Sequence, residues 1–374
     1  MSKQLSIDTL SVRGGYQPTL GQGLSPDINL SATYHLPGDG DEGLVAYGRS
    51  DVPGFKVFER AVADVENASH ALVFNSGTSA MVALLDQFRS GDRIVFTRDA
   101  YHGFIHYAQD QLQQRGVTVD FVDCTDLAAI ERAVPGAALL WVESPTNPHL
   151  LVTDLHAVAE ICARHSVRWI CDNTFATPVL TRPIEYGAWA VLESVTKYLA
   201  GHTDLILGAV ATNDAELREL MEHQRARIGT QPDGFTCWLA RRGMQTIAIR
   251  VRRQSDTALF IAQQLQAHPK VSAVYYPGLP SDPGHEVAKR QMCGGFGGML
   301  SFVVRGGKEA ANRLTESTEV WLPATSLGSV ESLIERRSRW DGDDIVDPAL
   351  LRLSTGIEDP RDLWNDLAQA LDHV

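Results

Sequence analysis

Ser194-Val195-Thr196-Lys197-Tyr198-Leu199-Ala200-Gly201-His202-Thr203-Asp204 is the stretch around which this chain is organised. It follows one apolar run, Trp189-Ala190-Val191-Leu192, and precedes another, Leu205-Ile206-Leu207-Gly208-Ala209-Val210, and both read as buried strands. A lysine between two buried strands is either hydrated at a surface turn or held for chemistry. Burial disfavours its charged form, so a desolvated lysine has a lowered pKa and an amine that is neutral and nucleophilic near pH 7. Such an amine forms a Schiff base with an aldehyde. Taken alone, Lys197 reads as a surface lysine; the rest of the chain reverses that reading.

Working outward, short apolar runs alternate with helical spacing from Gly54 to about Arg250. Helical segments are expected at Phe55 to Glu66, Ser79 to Phe88, up to Arg115, Asp126 to Ala133 and within Asp154 to His165. Strands are expected at Ala71 to Phe74, Arg93 to Thr97, Val117 to Val122, Ala137 to Val142 and Val167 to Cys171. This alternation predicts an α/β fold with a mostly parallel sheet covered on both faces, whose ligands sit at the carboxyl ends of the strands. After Arg250 the order changes. A long helix from Val251 to His268 leads to strands at Val271 to Tyr276, Met299 to Val304, Glu319 to Leu322 and Leu350 to Leu353, with helices near Lys308 to Glu316 and Pro360 to Leu371, which reads as a smaller α+β domain. The first fifty or so residues have little apolar periodicity, carry a loop signal at Asp39 to Gly43, and cannot make a core of their own. Tyr34, Tyr47 and Arg49 favour an arm that packs on something else. The division is therefore an arm over 1–53, a large domain over 54–250 and a small domain over 251–374.

Composition narrows the function classes. The 374 residues are 44% hydrophobic and 21% charged, the balance of a soluble globular protein. A net charge of −13 with dispersed basic residues argues against nucleic acid or an anionic membrane as partner. No run is long enough to span a bilayer, and the N-terminus lacks a signal-peptide core. Cys124, Cys162, Cys171, Cys237 and Cys293 are scattered and odd in number, which suits a reducing cytoplasm. His102 and His106 have the i, i+4 spacing of metal ligands, but no third ligand stands out, so no metal is expected. Gly294 to Gly298 resembles a phosphate loop, yet its place in the small domain points to close backbone packing.

Four loops at strand ends carry the chemistry. Asn75-Ser76-Gly77-Thr78-Ser79 lies between a strand and a helix, where backbone N–H groups form an anion site. In Glu143-Ser144-Pro145-Thr146-Asn147-Pro148, two prolines fix the backbone and so the side chains of Thr146 and Asn147. Asp172-Asn173-Thr174-Phe175 places an aspartate at the end of a buried strand, costly unless a cation meets it. A pyridinium nitrogen is such a cation. The fourth loop sets Ser194 and Thr196 beside Lys197. Singly, each is an ordinary turn. In this order and at these strand ends they are what pyridoxal phosphate needs.

At these residues the chain resembles the Cys/Met-metabolism family of pyridoxal-phosphate enzymes, which includes cystathionine γ-synthase, cystathionine γ-lyase, cystathionine β-lyase and methionine γ-lyase. The similarity runs from about Leu30 to the C-terminus and is carried by the loops above together with Tyr47-Gly48-Arg49, Tyr276-Pro277-Gly278-Leu279, Gly295 to Phe302, Ser326 to Ser332 and Leu351 to Glu358. It implies the type I, aspartate-aminotransferase-like fold of PLP-dependent transferases. It implies that Lys197 holds the cofactor as an internal aldimine and shuttles protons, and that Asp172 pairs with the ring nitrogen. Gly77, Thr78, Ser194 and Thr196 would hold the phosphate, with Ser76 and Thr174 beside the cofactor; Tyr101 would stack on the ring. Arg352 would grip the substrate α-carboxylate, with Asn147, Ser326 and Glu331 also on the substrate side. Tyr47 and Arg49 would reach the phosphate of the neighbouring subunit in a homotetramer, a dimer of dimers with shared sites.

Within the family, Glu331 after Ser326-Leu327-Gly328 follows the γ-acting pattern, and Gly103 in place of the usual cysteine argues against methionine γ-lyase. The resemblance thus implies γ-elimination on a γ-substituted L-amino acid such as cystathionine, through quinonoid and vinylglycine-ketimine intermediates. The alternatives are γ-replacement on an acylated homoserine, a specialised elimination of a non-standard (for example halogenated) amino acid, and a cofactor-binding scaffold without turnover. Departures from the family cluster at the expected site: His102 follows the stacking tyrosine, Phe104 stands for a threonine, Thr78 for a methionine, and Val52-Pro53-Gly54 for Asn-Pro-Thr.

Overall fold

The computed structural model describes residues 5–38, 44–50, 52–339 and 346–374; the loop expected at Asp39 to Gly43 lies outside them. A seven-stranded sheet is built from β1 (His70–Phe74), β2 (Arg93–Thr97), β3 (Thr118–Val122), β4 (Leu139–Glu143), β5 (Arg168–Asp172), β6 (Ala190–Glu193) and β7 (Gly208–Thr212). Its order is β1-β7-β6-β5-β4-β2-β3. Pairs β6–β5, β5–β4, β4–β2 and β2–β3 are parallel, and β7 runs antiparallel to both neighbours. The parallel strands are short and almost wholly apolar because helices cover both faces, which removes the need for alternation. β7 is antiparallel because the 194–207 connection carries no crossover helix.

One expected strand is displaced by that connection. Leu205 to Leu207 stand outside β7: the Leu207 N–H donates to Thr196 Oγ1 at 2.9 Å, and its carbonyl accepts from the Thr196 N–H at 3.1 Å. The backbone of Leu207 is thus taken by the lysine turn and is not available to the ladder.

The second sheet contains β8 (Val271–Tyr275), β9 (Met299–Val304), β10 (Leu322–Pro323), β11 (Leu333–Arg336) and β12 (Leu350–Ser354), in the order β10-β11-β12-β9-β8. The strand expected over Glu319 to Leu322 shrinks to β10. The Asp366 carboxylate accepts the N–H groups of Glu319, Val320 and Trp321 at 2.8 to 2.9 Å, so these donors are spent before a neighbouring strand could use them. The helix Ile247–Ala267 runs through residue 250; Ile247 and Val251 join the core of the large sheet, while Ala258, Ile261 and Leu265 join that of the small one.

Among the described residues, sequence reading passed over five α-helices: the short Thr177–Leu180 and His285–Gln291, and three others. Ile7–Arg13 lies in the segment read as lacking pattern; its single buried residue, Ser11, returns its hydroxyl to the Ile7 carbonyl at 2.7 Å. Ala215–Ile228 and Gly234–Met244 are started by Asp214 and Asp233, whose carboxylates accept first-turn amides.

Candidate active site

The carboxyl ends of β4, β5 and β6 finish side by side, with Glu143 opposite Asp172 and Asp172 opposite Leu192. Above them opens a cavity of about 400 Å³, lined by residues from both sheets. Asp172, Lys197, Asn147, Ser326, Arg352, Tyr101, Ser76, Gly77, Thr78, Thr174, Ser194 and Thr196 all line it, so the structure brings most of the expected residues together.

Asp172 is 7% exposed, and its Oδ1 accepts the Thr174 N–H at 3.0 Å. Burial pushes its pKa up to about 6, the Thr174 donors opposing. A carboxylate so placed is stabilised by a cationic ligand. Beside it, Glu143 Oε2 accepts the Tyr101 N–H at 2.9 Å, and burial together with the Asp172 charge raises the Glu143 pKa well above the usual range.

Lys197 donates from Nζ to Ser326 Oγ at 2.8 Å. Burial, then the nearby Arg352 and Arg337 cations, lowers the amine to about 8, with Glu335 opposing. The lysine of the quoted stretch thus lines the cavity and is paired there, not hydrated at a surface turn. Arg352 is 4% exposed and donates to Asn147 Oδ1 at 2.9 Å, to the Ser326 carbonyl at 3.0 Å and to Glu335 Oε2 at 2.6 Å. Ser326 thereby ties the amine and the guanidinium into one unit.

At the other end, Ser76 caps the helix Gly77–Leu85 by accepting the Ser79 N–H at 3.0 Å. A Cβ on Gly77 would stand 3.2 Å from Ser194 Oγ, so this helix start and the lysine turn are in contact. Helix start, hydroxyls, buried aspartate and lysine together fit pyridoxal phosphate: an anion site at one end, an uncompensated carboxylate within, and a nucleophilic amine between. Tyr101 is 37% exposed, and its ring leans onto Gly103, where a Cβ would come within 2.6 Å of a ring carbon. Gly103 is thus glycine because the tyrosine ring occupies the side-chain space.

Three expected residues are not brought in. Tyr47 and Arg49 lie outside the cavity; Arg49 stacks over Tyr47 at 5.6 Å and donates to the Ala226 carbonyl. Glu331 also stands outside the lining. Glu335, likewise outside the lining, bridges Arg337 and Arg352, two arginines that do line the cavity. Arg337 was missed, as was the role of Glu143. Both sit at strand ends, Arg337 directly after β11, so the reasoning that found Asp172 would have found them. Phe104, noted as a departure, and His102, noted both as a departure and for its i, i+4 spacing to His106, line the cavity. Among the described residues, no three His, Cys, Asp or Glu side chains gather as a metal site.

Behind Asp172 lies a second pair of acids. Glu66 is 0% and Glu193 1% exposed. Asn173 Nδ2 donates to Glu193 Oε1 at 3.1 Å. Burial raises Glu66 to about 7 and Glu193 well above the usual range, each opposed or reinforced by the other.

The sequence profile described as Cys/Met metabolism PLP-dependent enzyme matches residues 8–372. The chain is 41% identical to a cystathionine gamma-synthase of Mycobacterium leprae, over 98% of this chain and 96% of the relative. It is 38% identical to a cystathionine gamma-lyase of Dictyostelium discoideum, over 92% of each. The crystal structure of apo CalE6, described as a methionine gamma lyase from Micromonospora echinospora, superposes with a TM-score of 0.92 at 39% identity, over 98% of this chain and 99% of that one.

Proposed function

This chain belongs to the Cys/Met-metabolism family of pyridoxal-phosphate-dependent enzymes, and from that premise we propose that it eliminates the γ-substituent of an L-amino acid. The observation that carries the reading is the Lys197–Ser326–Arg352 unit standing in one cavity with buried Asp172. When bound, pyridoxal phosphate supplies an aldehyde for the amino group and a ring that withdraws electrons from Cα. Asp172 would keep the ring nitrogen protonated, and Gly77, Thr78, Ser194 and Thr196 would hold the phosphate. Arg352 and Asn147 would fix the α-carboxylate. Lys197, neutral in appreciable fraction near its pKa of about 8, would take the proton from Cα and return one at Cγ. The net reaction consumes water and releases the substituent with a proton, ammonia and 2-oxobutanoate.

Replacement of the substituent by a thiol is the second reading, favoured by the 41% identity to a γ-synthase. The resemblance to a methionine γ-lyase keeps methionine among the substrates to be tested, although Gly103 departs from the usual cysteine. Proton NMR in D₂O separates these readings, using cystathionine, methionine, acylated homoserines and γ-halogenated amino acids, each with and without cysteine. A 2-oxo acid from cystathionine makes the enzyme a γ-lyase, and a new thioether makes it a γ-synthase. No exchange or turnover with any amino acid overturns both.

The arm belongs to the same proposal. Leu20, Leu24 and Leu30 are 105%, 85% and 76% exposed, an apolar row suited to a neighbouring subunit. We place Tyr47 and Arg49 in that subunit's site within a homotetramer, and light scattering that finds a monomer refutes it. The free cysteines Cys124, Cys162, Cys171 and Cys237 are buried, which suits the cytoplasm. Among the described residues, no helix is long and apolar enough to cross a membrane.

A further inference from the structure

Tyr101 lines the cavity with a partly exposed ring, yet its main chain is fixed on both sides. Its N–H donates to Glu143 Oε2 at 2.9 Å, and its carbonyl accepts the Phe104 N–H at 2.8 Å. Its ring meets that of Phe104 edge-on, with centres 5.2 Å apart and planes at 89°. Phe104 in turn meets Trp141 edge-on at 5.4 Å, and Trp141 stacks on Phe96 at 5.6 Å. Phe104, Trp141 and Phe96 are all buried in the core on one face of the large sheet.

Trp141 and Glu143 stand two residues apart on β4, so their side chains leave the same face of the sheet. One face of one strand thus carries both the acceptor that holds the Tyr101 main chain and the ring that backs Phe104. Edge-to-face rings have a preferred geometry and resist sliding past one another. Gly103 completes the seat, because a Cβ there would press on the tyrosine ring. Threonine, which the family pattern has at position 104, carries no ring to set between Tyr101 and Trp141. A ring ordered before its ligand arrives does not have to be ordered at the moment of binding.

We propose that Glu143 and Phe104 are positioning residues that together set the tilt of the Tyr101 ring, Glu143 through the backbone and Phe104 through its edge-on contact, both anchored on β4. This rests on the reading of Tyr101 as the ring that stacks on the cofactor, and deepens it. It also gives the departure at Phe104 a purpose: the phenyl ring carries the rigidity of the core out to the cavity.

The test uses the full chain and pyridoxal phosphate, with two readouts that need no turnover. One is the Kd for the cofactor; the other is the visible circular dichroism of the bound cofactor, which follows the geometry of its surroundings. Phe104→Leu removes the edge-on contacts and is expected to weaken binding by about three- to tenfold and to reduce the dichroism. Glu143→Leu leaves the Tyr101 N–H without its acceptor and is expected to cost about tenfold or more. Glu143→Gln keeps an acceptor and matches an acid held neutral, so it is expected to stay within about threefold of wild type. The Phe104→Leu loss should vanish in a Tyr101→Ala background, which is the mark of action through Tyr101. A loss of the same size in that background would make Phe104 a core residue alone and overturn the proposal. So would Phe104→Leu behaving as wild type, or Glu143→Gln binding as weakly as Glu143→Leu. If Tyr101→Ala alone changes neither readout, the stacking reading itself fails and the proposal falls with it.

Discussion

Glu193→Gln should make this enzyme more stable, by a margin that grows as the pH rises from about 4.5 to 7 and holds above it. Glu66 and Glu193 face each other in a fully buried pocket behind Asp172, with Asn173, Arg182 and Glu185 around them. Both Glu66 oxygens and Glu193 Oε2 lack a donor among the described groups, so a proton shared between the acids is the arrangement that satisfies them. The folded protein therefore holds Glu66 protonated up to about pH 7, whereas its ordinary value is 4.5. A raised pKa in the folded state gives stability that is fully present below pH 4.5 and is lost as the pH rises through 7. At 1.36 kcal/mol per pKa unit, that loss is about 3 kcal/mol by pH 8. Glutamine has nearly the same shape, removes one charge and offers Glu66 an N–H. For a chain of this length, about 3 kcal/mol corresponds to a melting shift of roughly 4 °C. Thermal unfolding of wild type and variant, measured from pH 5 to 9 with and without cofactor, should show little difference at pH 5 and a higher-melting variant at pH 8. A difference that is constant across the range, or a variant that melts lower at pH 8, would refute the shared proton.

Three further outcomes follow from the same site and its frame. The rate at which apoenzyme takes up pyridoxal phosphate should rise with pH and level off just above the Lys197 value of about 8, because the amine is nucleophilic only when neutral; an inflection near 10.5 would mean that the amine is not desolvated. Asp172→Asn should weaken cofactor binding by about tenfold or more in a spectrophotometric titration, since it removes a charge-assisted partner of the ring; unchanged affinity would show that Asp172 does not meet the ring. Arg225→Met should cost about 3 to 5 kcal/mol, because Arg225 is fully buried, pairs with Glu59 at 2.5 Å and donates to the Val73 carbonyl at 2.7 Å. It should leave the Kd for cofactor unchanged, and a melting temperature equal to wild type would contradict it.

What the sequence disclosed was governed by distance along the chain. A buried parallel strand declares itself as an apolar run, and whatever follows it is at its carboxyl end, so Lys197 and Asp172 could be found without a structure. Ser326 and Arg352 needed the family pattern, because nothing local reveals that a serine after β10 would accept from a lysine at the end of β6's turn. Competition for backbone donors was invisible in the same way. Glu319 to Leu322 has the residues of a strand, and only the fold brings Asp366 to take its amides. The Glu66–Glu193 pair and the Arg337–His102 pair are the extreme cases, since each member alone is unremarkable as a surface acid, arginine or histidine. A buried acid or guanidinium is tolerable only with its partner, so each of these residues acquires a reason only when the other is in view. His102 shows the consequence. Read against the family pattern it is a departure; in the fold its ring nitrogen lies 3.5 Å from Arg337, and substitution of one should be felt through the other.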